Sequence, residues 1–210
     1  RILGDTVPGC VLCFGADHFA GLLGAGMTAD PVNRTTWITP YVTDWQKAAL
    51  QVDWDSRIAA RTLECVRALR KRFDGRMLIS PPHLQGNLDC LAALRGVQPL
   101  LFDLIDSPDE VKLALERVND AFREVIRVFR EEFATDKFGT VNRHGLYAPD
   151  ISGLLQYDFS CMISPEMFRE FVQPGLRAEA EAVDYAEYHL DGPDALVHID
   201  ALAEVDKIRV

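Results

Sequence analysis

His189 and Asp191, in Tyr185-Ala-Glu-Tyr-His-Leu-Asp-Gly-Pro193, carry the densest chemistry in this chain. The stretch reads as a short strand that stops at Gly192-Pro193 and hands over to a helix. Side chains alternate along a strand, so this imidazole and carboxylate point the same way, roughly 6–7 Å apart. Such a pair can hold a metal, relay a proton or stabilise a cation; the plain alternative is a hydrogen-bonded pair closing a turn. Two other strand ends look alike. Pro81-Pro82-His83 and Asn142-Arg143-His144 follow the apolar runs 76–80 and 139–142. Arg143 offers a bidentate guanidinium for a carboxylate, and His144 an imidazole that titrates near neutrality. Alone, that pair is an exposed loop ending at Gly145. Asp158 follows Tyr157 in an aromatic setting, Gln156-Tyr-Asp-Phe-Ser-Cys161. A carboxylate desolvated there acts as an acid or steadies a developing cation; otherwise it accepts backbone N–H groups. His18, beside Asp17, reads as a helix-start residue, and His198, among apolar neighbours, as structural.

Helices and strands must position these groups. The strongest helix is predicted over 107–133, where Val111, Leu115, Val118, Phe122, Val125, Phe129 and Phe133 recur at steps of three and four. It opens on a Ser107-x-x-Glu110 capping box with Pro108 at its first position, and should lie on a sheet. A second helix is expected from Ser164-Pro165-Glu166, ended or kinked at Pro174 and able to resume over 176–183. A third covers 55–73, with Ile58, Thr62, Cys65, Val66 and Leu69 inward. It is closed by Arg70-Lys71-Arg72, which complements the helix dipole. Shorter helices are expected at 19–23, 87–94 and 194–203. Strand-like runs at 11–14, 76–80, 139–142, 186–190 and 207–210 alternate with them, which argues for βα units and a parallel sheet. No nucleotide-binding glycine turn opens any helix. A (β/α)8 barrel is the architecture this favours, with active-site groups at the carboxyl ends of the strands. Segment 31–54, with all three tryptophans, reads as an irregular excursion. A complete barrel takes ~250 residues. With no starting Met and a strand cut short at Val210, the chain is expected to be a single, partial barrel domain spanning 1–210.

Composition narrows the partners. The 210 residues are 48% hydrophobic, enough for one sizeable core, and the net charge of −10 disfavours a nucleic-acid surface. No apolar run approaches the ~20 residues of a membrane span. Five cysteines without regular spacing suit a reducing cytoplasm. Cys10-x-x-Cys13 lacks a second half-site, and its intervening residues read as buried strand.

Ile163-Ser-Pro-Glu-Met-Phe-Arg-Glu-Phe-Val-Gln-Pro174 resembles the SPE-x-F-REF-x-x-P segment of the uroporphyrinogen decarboxylase superfamily. Leu84-Gln-Gly-Asn-Leu-Asp-Cys-Leu-Ala-Ala-Leu-Arg-Gly96, Leu100-Leu-Phe-Asp-Leu-Ile-Asp-Ser-Pro-Asp-Glu110 and Tyr188-His-Leu-Asp-Gly192 are similar in the same register. The resemblance implies a (β/α)8 barrel, often dimeric, serving one of two chemistries. One is cofactor-free decarboxylation of uroporphyrinogen. The other is methyl transfer between corrinoid proteins and thiols at a zinc held by His-x-Cys and a later Cys. Here the decarboxylase's arginine-rich amino-terminal motif is missing, and Asp191 stands where the methyltransferase has its thiolate. The expected activity is a carboxy-lyase acting on a tetrapyrrole or another carboxylated small molecule. Asp158, Asp191 and His144 would be catalytic, and Arg143, His83, Tyr157 and His189 would contact substrate. The alternatives are a zinc-dependent methyltransferase with a corrinoid partner and His189 and Asp191 on the metal, and a silent barrel that only binds tetrapyrrole or corrinoid.

Overall fold

The computed structural model describes residues 7–33, 35–73 and 75–208. Its strands are β1 (Gly9–Val11), β2 (Gly26–Asp30), β3 (Thr35–Thr39), β4 (Leu78–Ser80), β5 (Thr140–Val141), β6 (Tyr147–Ala148), β7 (Ser152–Leu155) and β8 (Tyr185–Tyr188). Its α-helices are α1 (His18–Leu22), α2 (Arg57–Phe73), α3 (Asn87–Arg95), α4 (Val97–Asp106), α5 (Pro108–Phe133), α6 (Thr135–Phe138), α7 (Pro165–Met167), α8 (Gln173–Ala182) and α9 (Ile199–Ala203).

The βα alternation produces parallel pairs, β1 with β4 and β7 with β8, and Ala186 bridges in parallel to Ile208. Side chains link the remaining neighbours. Val141 N–H donates to Ser80 Oγ at 2.8 Å, tying β5 to β4. Thr140 Oγ1 accepts the Ser152 N–H at 3.0 Å, tying β5 to β7. The strands therefore follow one another as β1, β4, β5, β7 and β8. Among the described residues they pair two by two, which gives the α/β class and the parallel pairs of the partial barrel expected from the sequence without showing a barrel. Of the strand expected over 207–210, Ile208 bridges in parallel to Ala186, and Arg209 and Val210 lie outside the described residues.

Helix α5 follows its apolar stripe: Val111, Leu115, Val118, Phe122, Val125, Phe129 and Phe133 are all buried. It was expected on a sheet, yet its main neighbours are α2, α3, α4 and α8. Burying seven such side chains, at roughly 1.5–3 kcal/mol each, makes this helix the centre of the core. The Ser107 capping box does not form, for no side-chain oxygen caps the helix and the Ser107 carbonyl takes the Glu110 and Val111 N–H groups instead. Ser164 does cap, with Oγ accepting the Met167 N–H at 3.2 Å. Beyond it the chain widens into a π turn over Phe168–Val172 before α8. The wider turn precedes Pro174, which has no N–H to give and whose ring crowds the carbonyl four residues back.

Segment 31–54 corrects the irregular reading in part. Met27 pairs with Ile38 and Thr28 with Trp37 in an antiparallel hairpin of β2 and β3. Trp37 stands exposed on it, its indole N–H on Asp30. Trp45 donates to Asp103 at 2.8 Å and Trp54 to Glu124 at 2.6 Å, pinning the following loop to α4 and α5.

Candidate functional site

The carboxyl ends of β4, β5, β7 and β8 lie on one side of the sheet arc and deliver His83, Arg143 with His144, Gln156 with Asp158, and His189. Register explains which groups meet. Leu154 pairs with Glu187 and Leu155 with Tyr188, and the His189 N–H donates to the Leu155 carbonyl at 2.8 Å. Alternation then puts Glu187, His189 and Gln156 on one face and Tyr188 and Tyr157 on the other.

On the first face, Arg143 and His144 occupy the turn of an antiparallel hairpin, β5 to β6, and not the start of a βα loop as expected. The turn is held by Asn142, whose Oδ1 accepts the His144 and Leu146 N–H groups, both at 3.0 Å. Asn142 Nδ2 also donates to Glu187 Oε2. His144 Nδ1 lies 2.7 Å from Glu187 Oε1. A carboxylate oxygen accepts there, so Nδ1 carries the proton and Nε2 is the basic nitrogen of a His–carboxylate dyad. The His144 and His189 rings sit 5.2 Å apart. Arg143 donates to Gln156 Oε1, and Gln156 Nε2 donates to both Asp158 carboxylate oxygens at 2.8 Å.

His83 lies at the centre of this group. Burial pushes its pKa down to about 4, reinforced by the positive charge of Arg143 and then by His189 and His144, while the Leu154 backbone pulls weakly the other way. The ring is neutral near pH 7, and neither buried nitrogen has a hydrogen-bond partner among the described residues. It lines a cavity of about 40 Å³ with Asn142, Arg143, Phe122 and Phe129. Across the β5–β6 hairpin, Asn142 and Glu187 also border an open groove of about 670 Å³ with Ser152, Tyr147 and Tyr185. A volume of that size takes a small molecule.

On the second face Tyr157 is 2% exposed. Its hydroxyl donates to Glu179 Oε2 at 2.6 Å, so it turns into the core and away from the rim. Glu179 is 1% exposed, and burial pushes its pKa up to about 8. Its other oxygen crowds Gly86, where an added Cβ would come within 2.1 Å. Asp158 is exposed, not desolvated in an aromatic pocket as expected; the aromatic neighbour faces inward and the carboxylate outward. Its backbone N–H donates to Asp89 Oδ2 at 2.9 Å and that of Phe159 to Asp89 Oδ1 at 2.8 Å. Asp191 is exposed in the loop after β8. His198 is structural, its Nε2 donating to the Ser160 carbonyl at 2.8 Å and its ring stacked on Phe168. His18 starts α1, fully buried, with Nε2 2.9 Å from Thr62 Oγ1.

Sequence reasoning singled out the strand-end residues and missed Glu187, Gln156, Asp89 and Glu179, which orient them. Zinc on His189 and Asp191 belongs to the methyltransferase alternative alone. Among the described residues no three His, Cys, Asp or Glu side chains converge on a metal position, and His144 Nδ1 is already engaged by Glu187. No helix of the described residues is long and apolar enough to cross a membrane.

The fold and rim define an α/β protein with parallel βα pairs and polar groups gathered at the strand carboxyl ends. No protein-family model matches the chain, and no curated protein matches it. Among solved structures, a methyltransferase from Methanosarcina mazei superposes with a TM-score of 0.74 over 94% of this chain, at 18% identity. The chain spans 55% of that protein's length. The likeness is one of fold.

Proposed function

We propose that this chain supplies the substrate-binding rim of a methyltransferase-type enzyme acting on a small anionic substrate. The observation that carries the reading is the convergence of Arg143, His144 and His189 around a neutral, half-buried His83 whose ring nitrogens make no well-formed hydrogen bond among the described residues. Likeness of fold to a methyltransferase adds support. In this mechanism Arg143 grips the substrate's anionic group, one edge of its guanidinium already fixed by Gln156. His83 donates from one ring nitrogen and accepts at the other. His144 Nε2 takes the proton from the attacking thiol, while Glu187 steadies the imidazolium that results. The thiolate sulfur then bonds the methyl carbon as the donor–methyl bond breaks, and that bond's electron pair leaves with the donor.

The test offers the complete natural protein a methylated corrinoid and a small carboxylated thiol, following corrinoid demethylation spectroscopically and the thioether by mass. Turnover that falls about 100-fold in His144→Ala, as loss of a general base does, is expected. Absence of any methyl transfer overturns the reading.

One observation favours a decarboxylase instead: the exposed Asp158 carboxylate is tied through Gln156 to Arg143. A cation for a substrate acid and a carboxylate to steady a protonated ring thus share one rim. Coproporphyrinogen formed from uroporphyrinogen would establish it. Tight tetrapyrrole or corrinoid binding without turnover would instead mark a silent barrel.

A further inference from the structure

Arg143 reaches the rim on an exposed hairpin turn, which by itself leaves a long side chain free to wander. What holds it is a relay that starts in the protein's interior. Asp89 sits in the first turn of α3, sixty-nine residues from Asp158 in sequence. Its two oxygens accept two consecutive backbone N–H groups, those of Asp158 and Phe159, at 2.9 and 2.8 Å. These are the first residues of the 3-10 turn Asp158–Met162, whose amino-terminal donors would otherwise be unsatisfied. Tyr157, one residue earlier, is fastened from the opposite side by its hydroxyl bond to Glu179. The backbone over 157–159 is therefore clamped between two carboxyl groups, one from α3 and one from α8. Either side of Tyr157, alternation points Gln156 and Asp158 back to the rim. There the Asp158 carboxylate takes both Gln156 Nε2 bonds and turns Gln156 Oε1 toward Arg143.

We propose that Asp89 is a positioning residue for the rim cation: by fixing the 157–159 backbone it aims Asp158, which orients Gln156, which holds the Arg143 guanidinium ready for a substrate anion. The last link rests on the anion-binding role proposed above for Arg143; the links before it do not. Asp89 touches no substrate. A carboxylate serves here because it accepts at both oxygens, while an amide of the same shape accepts at one and sets an N–H against the second donor.

The clamp also answers to acid. Burial pushes Asp89 up to about 7, against the two backbone bonds that hold it down. The groups acting on it or feeling its charge are Asp158 in the turn, Asp17 ahead of α1, Glu179 on α8, Tyr188 on β8, Tyr157 and Cys90. None of them is a cation. Protonation below about pH 7 turns one of the two acceptors into an O–H, so these two bonds weaken on the acid side even though relief of the buried charge favours the folded chain as a whole.

The experiment compares wild type with Asp89→Asn in the complete protein, using three readouts. Hydrogen exchange of the Asp158 and Phe159 amides is expected to quicken about tenfold in the variant, the effect of losing one such bond, with β7 and α8 amides unchanged. Relaxation of the Arg143 Nε–H, ordered in wild type, is expected to report a mobile side chain. Affinity for tricarballylate, a small tricarboxylate, is expected to drop about tenfold. Freed amides with an Arg143 as ordered as before overturn the positioning role. A wild type that ignores tricarballylate overturns the anion-binding reading alone, since the first two readouts need no ligand. Should Asp89→Asn fail to fold, the wild-type amides decide the matter. Both amides must be protected from exchange in wild type, with the Arg143 Nε–H ordered, and rapid exchange at Asp158 or Phe159 overturns the proposal.

Discussion

Gln156 has one workable orientation. Its carbonyl oxygen meets a guanidinium and its amide nitrogen a carboxylate, and a flip would set N–H against N–H and oxygen against oxygen. Arg143 is fixed on one edge by that contact, which leaves its second edge as a preformed fork for a carboxylate. A lysine would have to divide one compact ammonium between Gln156 and the ligand. Arg143→Lys is therefore expected to weaken tricarballylate binding about tenfold by calorimetry, a loss typical of one charge-assisted hydrogen bond. An unchanged affinity would show that the anion sits elsewhere. Glu187 has an equally constrained role, each oxygen taking one donor from the hairpin turn, Asn142 on one side and His144 on the other. None of these partnerships is readable in the chain itself. His144 and Glu187 are forty-three residues apart and Asp89 and Asp158 sixty-nine. Only the folded packing, of the β5–β6 turn beside β8 and of α3 beside the 158–162 turn, brings them together.

Among the elements, the longest helix was the plainest. Helix α5 is plain in the sequence because twenty-six residues give its 3.6-residue period many turns to declare itself. Strand β7, Ser152-Gly-Leu-Leu155, offers four residues and a glycine, too little to stand out from a loop. The hairpin of β2 and β3 hides for another reason. Its residues face solvent on much of both sides, so no apolar alternation marks them. Two serines show the gap between a motif and its geometry. Ser107 satisfies the capping-box pattern yet makes no side-chain bond, while Ser164 does cap its helix. Ser164→Ala should cost about 1 kcal/mol of stability and Ser107→Ala close to none, measured by chemical denaturation. Equal losses would mean the Ser107 hydroxyl does cap in solution.

Across the whole molecule, the shifted histidines His18 and His83 and the shifted acids Asp89 and Glu179 set a stability profile. His18 and His83 are pushed down to about 4. Their neutral forms belong to the folded state, so they contribute stability above about pH 6.5 that is lost as pH falls toward 4. Asp89 and Glu179 are pushed up, to about 7 and about 8. They contribute stability that is whole near pH 4 and disappears as pH climbs through those values. Between roughly pH 4.5 and 6.5 two groups gain while two lose, and their slopes cancel; above that only the acids act. The melting temperature should thus hold level across that range and decline from about pH 6.5 to 8, with the decline reduced in Glu179→Gln. A rise over pH 6.5–8 would contradict the burial seen here. The three tryptophans lend the molecule its own optical gauge for such measurements. Trp37 is 60% exposed on the hairpin while Trp45 is 4% exposed beneath the loop. Iodide should quench the first and spare the second, so detachment of that loop from α4 would register as a newly quenchable emitter before global unfolding begins.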